Sequence, residues 1–543
     1  MDPNPTPRRL ATAIVLVVAV LAGACGGGGD DKSTGPATSA PTDGIDAEGT
    51  PVRGGTIVWG LEAETDGLNP ISGRWTMSGH MMGSAIFDPL AVIDDEGAAV
   101  PFLAESFEAN DDYTEWTIVV RSGVRFHDGT PLTAQVVADT LMLHKESAVT
   151  QKAVFDMASA TAVDERTVRV TMSQPWSTFP YILATQAGYI PAPSMLDVPE
   201  EARTPVGTGP FVFQEWDYGR SFTATRNPDY WGRDDDGNPL PYLDKIEFRP
   251  IVDPQNRTDA LINGDVDAIN TWTPADIRRL ASTPDIKLLT YSEGEEEFVM
   301  LNASKAPFDR LTARQAVAYA TDAAAIRDSL GSDYAIEATS LWAPGQLGAT
   351  DDDGFLGFDR ARATQLVEQY RAETGQPLAF TLTGSADLRV RELQQLLKQQ
   401  WEAAGMQVEL LTVEQADLVV AGALGNYQAV LWRNYGFPDP DAELVWFHSR
   451  SIGDPVSLNF ARFESPELDA AFERGRSTQD VDMRDEAYAE VARLINQNAI
   501  HIWLDRVTWA IASQPEVNGF GPAANGSIQT LGPKPWVGRL WKS

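Results

Sequence analysis

Residues 205–232, PVGTGPFVFQEWDYGRSFTATRNPDYWG, constrain this chain more than any other stretch. A glycine turn (Gly207, Gly209, Pro210) leads into an alternating run at 211–216. The tight Asp217-Tyr218-Gly219 link precedes a second run at 221–226, and Asn227-Pro228-Asp229-Tyr230-Trp231-Gly232 follows. Two period-2 runs punctuated by Gly and Pro predict a β-hairpin followed by an aromatic plug. At 543 residues, 43% of them hydrophobic, the chain exceeds one ordinary core, so two or more packed lobes are expected. A net charge of −35 argues against nucleic acid or an anionic membrane surface as partner.

The N-terminus reads as a targeting segment over residues 1–24: Arg8 and Arg9, an apolar run at 10–21, then Ala22-Gly23-Ala24 before Cys25. The run is about half the ~20 residues of a membrane span. The small residues before the chain's one cysteine resemble a lipobox in which Cys25 is lipidated, with Ala22 where Leu is usual; the other reading is a plain secretory signal. One cysteine excludes an intrachain disulfide, a CxxC pair and a Cys-rich zinc site. Gly, Ser, Thr, Pro and Asp dominate up to residue 52 and predict a flexible tether over 25–52.

From residue 53 onward the pattern is α/β. Strands are expected at 54–60, 116–120, 167–172, 243–249, 378–382, 408–411, 427–432 and 499–504. Helices are expected at 78–88, at 133–141 with Thr133 as N-cap, around 145–159, at 256–263 closed by Gly264, and at 312–320. Further helices are expected at 359–370, 389–404, from Ser465-Pro466 onward, and at 482–497.

Three motifs carry a family resemblance: GTGPF, EW and RNPDYW in the hairpin; GGT, a strand and LNP at 54–70; LAESFE, YTEWTI and GVRFHDGTPLTA at 103–134. Together with RTDALINGDVDAIN at 257–270 they resemble the extracellular solute-binding proteins of family 5, the peptide, dipeptide and nickel binders of ABC importers, over about 54–520. The resemblance implies a two-lobed periplasmic-binding-protein-like α/β fold (type II, cluster C). It implies a first lobe at 53–91 and 205–270, an inserted subdomain at 92–204, a second lobe at 271–508 and a return at 509–543. It also implies a monomeric, exported, lipid-anchored protein. Such a protein closes over a small solute, peptide or peptide-like, and delivers it to a membrane permease without catalysis or cofactor.

The five histidines (His80, His127, His144, His448, His501) form no HExxH or close ligand pair, so no metal site is expected. Neither GxSxG after a strand nor GxxxxGK[ST] occurs, which leaves a serine hydrolase or nucleotide hydrolase without its nucleophile or phosphate cradle. Aromatic and guanidinium side chains are the candidate ligand contacts, as stiff apolar faces and as forks for a carboxylate. They are Arg74, Trp75, Trp272, Trp342, Arg389, Trp432 and Arg433, with His80, Asn434, Tyr435 and Asp439 at positions that border the cleft in relatives. In the peptide binders an Asp shortly after the Trp pairs with the ligand's α-ammonium. Here Asn434 or Tyr435 takes that place, and Asp439 and Asp441 lie downstream. A sugar, an anionic solute or a nickel chelate therefore remain alternatives, as does an exported carboxylate-dependent hydrolase.

Overall fold

The computed structural model describes residues 49–94, 97–147, 149–196, 203–291, 295–331, 334–435, 439–453, 455–520 and 536–543. The signal segment, Cys25 and the tether up to residue 48 lie outside the described residues. Among those described, no helix is long and apolar enough to cross a membrane.

The chain divides into two compact units, one of residues 49–291, 439, 508–520 and 536–543, the other of 295–435 and 440–507. In the first unit β1 (Thr56–Leu61) is followed by a short pair, β2 (Ala91–Ile93) and β3 (Ala99–Pro101). A separate sheet of β4 (Ala104–Ala109), β5 (Glu115–Val120), β6 (Met157–Ala162) and β7 (Thr167–Met172) has the order β4-β5-β7-β6. Then come β8 (Phe211–Asp217), β9 (Ser221–Arg226), β10 (Lys245–Pro250), β11 (Ala268–Thr271) and β12 (Lys287–Tyr291). The second unit holds β13 (Glu295–Leu301), β14 (Ile336–Glu337), β15 (Ala379–Ser385), β16 (Gln407–Val413), β17 (Ala429–Tyr435) and β18 (His501–Arg506). From residue 508 the chain is back in the first unit, where β19 (Trp509–Ser513) completes a seven-stranded sheet of order β12-β19-β11-β1-β10-β9-β8.

Alternation decides which face of that sheet each residue serves. Ile57, Trp59 and Leu61 of β1 join the large core with Phe222, Ile246 and Phe248, while Val58 packs with Leu261, Ile269 and Leu280 on the other side. Because β11 and β12 both belong to this sheet, the chain leaves the first unit after residue 291 and not near 270. A second expectation fails at 145–159. The helix Ala134–Glu146, capped by Thr133 Oγ1 on the Val136 amide, stops there, and Met157–Ala162 pairs antiparallel with β7 instead.

The hairpin of 211–226 forms as expected, turning at Gly219 with φ +78°. Its flanking motifs meet at one buried carboxylate, Asp88. Thr208 Oγ1 donates to it at 3.0 Å, Tyr230 Oη at 2.9 Å and Trp231 Nε1 at 2.8 Å. The Gly207-Thr208-Gly209 backbone lies against the end of the helix Met77–Ile86, and the Gly209 amide donates to the Ile86 carbonyl at 2.9 Å. A Cβ on Gly207 would overlap that same carbonyl oxygen. Burial pushes the Asp88 carboxyl up to about 6, against the pull of its three donors and of Arg121, whose guanidinium lies 4.5 Å from the Trp231 ring.

The second unit's sheet has the order β14-β18-β13-β17-β15-β16. One face packs Val299, Leu301, Leu382 and Leu431 against helices Leu311–Ala320, Arg360–Thr374 and Leu388–Ala403. β15 is parallel to β16 and β17, and β18 runs with them because both β17 and β18 are antiparallel to β13. The carboxyl ends of β15–β18 and the amino end of β13 therefore share one end of the sheet, the end at which open α/β sheets place ligands.

Candidate functional site

A charged network occupies that end. β13 opens with Glu295-Glu296-Glu297, all buried. Period 2 sends Glu295 and Glu297 to one face and Glu296 to the other. A bulge between Glu297 and Phe298 sets Glu297 opposite Asp505 and Glu296 opposite Arg506.

On the first face Arg389, from the start of helix Leu388–Ala403, reaches Glu297 at 3.0 Å and Asp505 at 3.4 Å. Arg433 of β17 meets Glu295 diagonally at 2.5 Å. Three carboxyls thus share two bonded guanidiniums, with Arg327, itself paired with Glu337, acting on Asp505 from further off. Burial and then the charge of Glu297 hold Asp505 well above the usual carboxylate range, although Arg389 and Arg327 pull it down. On the opposite face Arg506 pairs with Glu296 at 2.6 Å, and Asn434 donates to Glu443 at 2.8 Å. Burial, with Glu296 second, raises Glu443 well above its ordinary value. Among the described residues, each face therefore carries one more carboxyl than the guanidiniums bonded to it. Beside this network Asp441 and Arg476 form a balanced buried pair at 3.0 Å.

The sequence candidates separate in this frame. Arg389, Arg433 and Asn434 come together, but the two arginines are already committed to carboxylates of β13 and β18, so neither is an open fork for an anionic ligand. Trp432 stands two positions from Asn434 and packs edge-on against Phe460 at 5.4 Å. Tyr435 ends β17, and its side chain lies outside what is described, as do residues 436–438. Trp342 is buried, donates to the Tyr488 carbonyl at 2.9 Å, and lines a cavity of about 740 Å³ within the second unit.

In the first unit, two candidates lie within the packing. Trp75 is fully buried, donates to the Gly67 carbonyl at 2.9 Å and lies where Gly79 and Gly83 admit its ring, so it is a core residue. His80 is buried edge-on to Trp75 at 5.5 Å. Arg74 pairs with Asp66 at 2.6 Å, Trp272 is half-buried just past β11, and Asp439 is buried. Among the described residues no group of three or more His, Cys, Asp or Glu side chains is placed to hold a metal ion.

Sequence reasoning missed Glu295, Glu296, Glu297, Glu443, Asp505 and Arg506. The run EGEEEF directly before Val299-Met300-Leu301 was the available signal, since three consecutive acids entering an apolar strand must put at least one on a buried face.

The family model of the bacterial extracellular solute-binding proteins, family 5, matches residues 98–454. The chain belongs to this family. The nickel-binding periplasmic protein of Escherichia coli (strain K12) is 23% identical over 457 residues, covering 80% of this chain and 86% of that protein. The probable D,D-dipeptide-binding periplasmic protein DdpA of the same organism is 25% identical, covering 77% and 81%. The oligopeptide-binding protein AppA from Bacillus subtilis, solved with a nonapeptide, superposes with a TM-score of 0.75 at 21% identity, covering 91% of this chain and all of that one. The fold is thus the two-lobed α/β fold of periplasmic binding proteins of family 5. Within that fold the GTGPF and NPDYW motifs have a structural task here, the enclosure of Asp88.

Proposed function

We propose that this chain captures a peptide or peptide-like solute bearing an amine and hands it to the permease of an ABC importer. The observation that carries the amine is the surplus of buried carboxyls over guanidiniums at the carboxyl end of the second unit's sheet. A buried acid held neutral for want of a guanidinium can give up its proton when a cation arrives, so such a site gains from a cation and gives an anion no partner. The names of the relatives, a D,D-dipeptide binder and an oligopeptide binder among them, agree with that class. Anionic solutes, an open alternative in the sequence, fit this charge balance poorly. The role is selective binding without bond making.

The protein is exported. Lipidation at Cys25, a tether through residue 52 and a monomeric state complete the proposal and rest on the lipobox-like Ala22-Gly23-Ala24-Cys25 and the family resemblance.

A thermal-shift panel on residues 26–543 tests the reading with di- and tripeptides, their N-acetylated forms, organic acids, oligosaccharides and nickel with histidine. A ligand at 100 times its Kd adds about 2.7 kcal/mol. Stabilisation by free-amine peptides and not by organic acids is the expected result. Stabilisation by acids or sugars alone overturns it.

A further inference from the structure

Glu297 and Asp505 stand directly opposite each other across the β13–β18 ladder, and like charges so placed repel. One guanidinium serves both, since Arg389 reaches Glu297 at 3.0 Å and Asp505 at 3.4 Å. The other oxygen of Asp505, Oδ1, is buried and accepts no hydrogen bond among the described residues. On the far side of β18, Glu337 of β14 stands opposite Asp505 but is paired with Arg327 at 3.5 Å, so the two add no net charge. On the far side of β13, Arg433 is opposite Glu297 but bonds Glu295. With these neighbours counted, the Glu297–Asp505 pair is short of one positive charge. In the unliganded protein a proton supplies it, because burial and the charge of Glu297 both favour the neutral form of Asp505.

The two faces of this sheet end differ in access. On one, the side chains of Glu296 and Arg506 are each 2% exposed, and that face is closed. On the other, side-chain exposure rises from 4% at Asp505 to 11% at Glu297, 22% at Arg389 and 25% at Arg433. Glu297 is thus the accessible carboxylate of the pair, and the acid that holds the proton is the more deeply buried one. A charge placed at Glu297 acts on Asp505 without touching it. A cation within about 4–6 Å of a carboxyl favours its charged form by roughly ten- to thousandfold.

We propose that Glu297 receives the ammonium of the solute and that Asp505 gives up its proton to solvent as the ammonium arrives, so that one cation replaces another. The ammonium keeps its three protons, the Asp505 O–H bond breaks to leave a carboxylate beside Arg389, and the face is neutral before and after. The proposal rests on the reading of the chain as a binder of amine-bearing peptides and names the carboxylate that takes the amine. Acid then competes with the solute. Affinity rises with pH, by at most about tenfold per pH unit, while the unliganded protein still holds the proton, and levels off where it no longer does.

Calorimetric titration of residues 26–543 with triglycine tests it, at pH 6 in buffers of different ionisation enthalpy, in the wild type, Asp505→Asn and Glu297→Gln. A peptide amine is almost wholly charged at that pH and contributes few protons of its own. The wild type should release at least about half a proton per triglycine bound. Either substitution removes the surplus carboxyl, so each variant should bind triglycine about tenfold or more weakly and release no proton. Release that persists in either variant, or wild-type binding whose enthalpy does not depend on the buffer, overturns the exchange and leaves the peptide-binding reading standing. No binding of triglycine by the wild type between pH 5 and pH 7.5 overturns that reading and the exchange with it.

Discussion

Asn434 donates its side-chain amide to Glu443 across 2.8 Å, with both residues buried and Glu296 close enough to repel a charge on Glu443. Glu296 has its own cation in Arg506, whereas the shift of Glu443 is opposed by the Asn434 amide alone. The position after Trp432 is therefore occupied by a residue that supports a neutral acid. A carboxylate there would add a charge to a face where, among the described residues, the bonded guanidinium, Arg506, is already matched by Glu296.

Asn434→Asp puts that carboxylate in place. At neutral pH the variant should lose about 2 kcal/mol, the cost of a poorly compensated buried charge shared with Glu443. The new acid's folded pKa lies above its unfolded value, so the folded state holds a proton that the unfolded state releases. The penalty should accordingly shrink as pH falls toward 5. Urea unfolding at pH 7 and pH 5 reads both values, and a loss that is equal at the two pH values refutes the account.

Arg506→Met should be far more costly than its size suggests. It leaves Glu296 buried without its partner, and breaking one side of a buried pair typically costs about 3–5 kcal/mol. Adding Glu296→Gln should recover a large part of that loss, since the stranded charge is then gone. A double-mutant cycle measured by denaturant unfolding checks this, and purely additive losses would show that the pair is not coupled.

Local signals in the sequence account for most of the fold. Thr133 and Ser465 cap helices through Val136 and Leu468, Gly264 takes φ +78° after its helix, and the two alternating runs at 211–226 pair as a hairpin. Each of these is decided by residues a few positions apart. The site was less legible because its pairings are remote: Arg389 meets Glu297 across 92 residues and Arg506 meets Glu296 across 210. An arginine reads the same whether it waits for a ligand or is matched by a distant acid. Trp75 illustrates the same ambiguity for aromatics, since only the approach of Gly79 and Gly83 identifies its place as core.

Gly207→Ala tests the close approach that organises the family hairpin. The added Cβ overlaps the Ile86 carbonyl oxygen, a backbone atom that has little freedom to yield, while the Gly209 amide bonds that same oxygen. Overpacking of this kind costs about 1–3 kcal/mol, and the backbone clash puts this site toward the top of that range. A control at Gly219→Asn, in a turn where an added Cβ meets nothing, should cost much less. Thermal melts of the two variants decide the matter: similar losses would mean that the approach to Ile86 does not set the requirement.

Asp88 gives the stability a pH dependence opposite in sign to that of an ordinary salt-bridged carboxylate. Its folded pKa of about 6 stands above the unfolded value of about 3.9, because burial outweighs the bonds from Trp231, Tyr230 and Thr208. Between those values the folded state binds the proton and the unfolded state does not. Its contribution is therefore full below about pH 4 and is lost as pH rises through 6, by roughly 3 kcal/mol at most. Asp88→Asn removes the titration and keeps an oxygen to accept from Tyr230 or Trp231. Other carboxylates titrate in the same range, so the informative quantity is the difference in unfolding free energy between wild type and variant. That difference should move in favour of the variant as pH rises from 4 to 7. A difference that stays constant across the range would place the Asp88 pKa near its ordinary value and make its enclosure by Thr208, Tyr230 and Trp231 strong enough to offset burial.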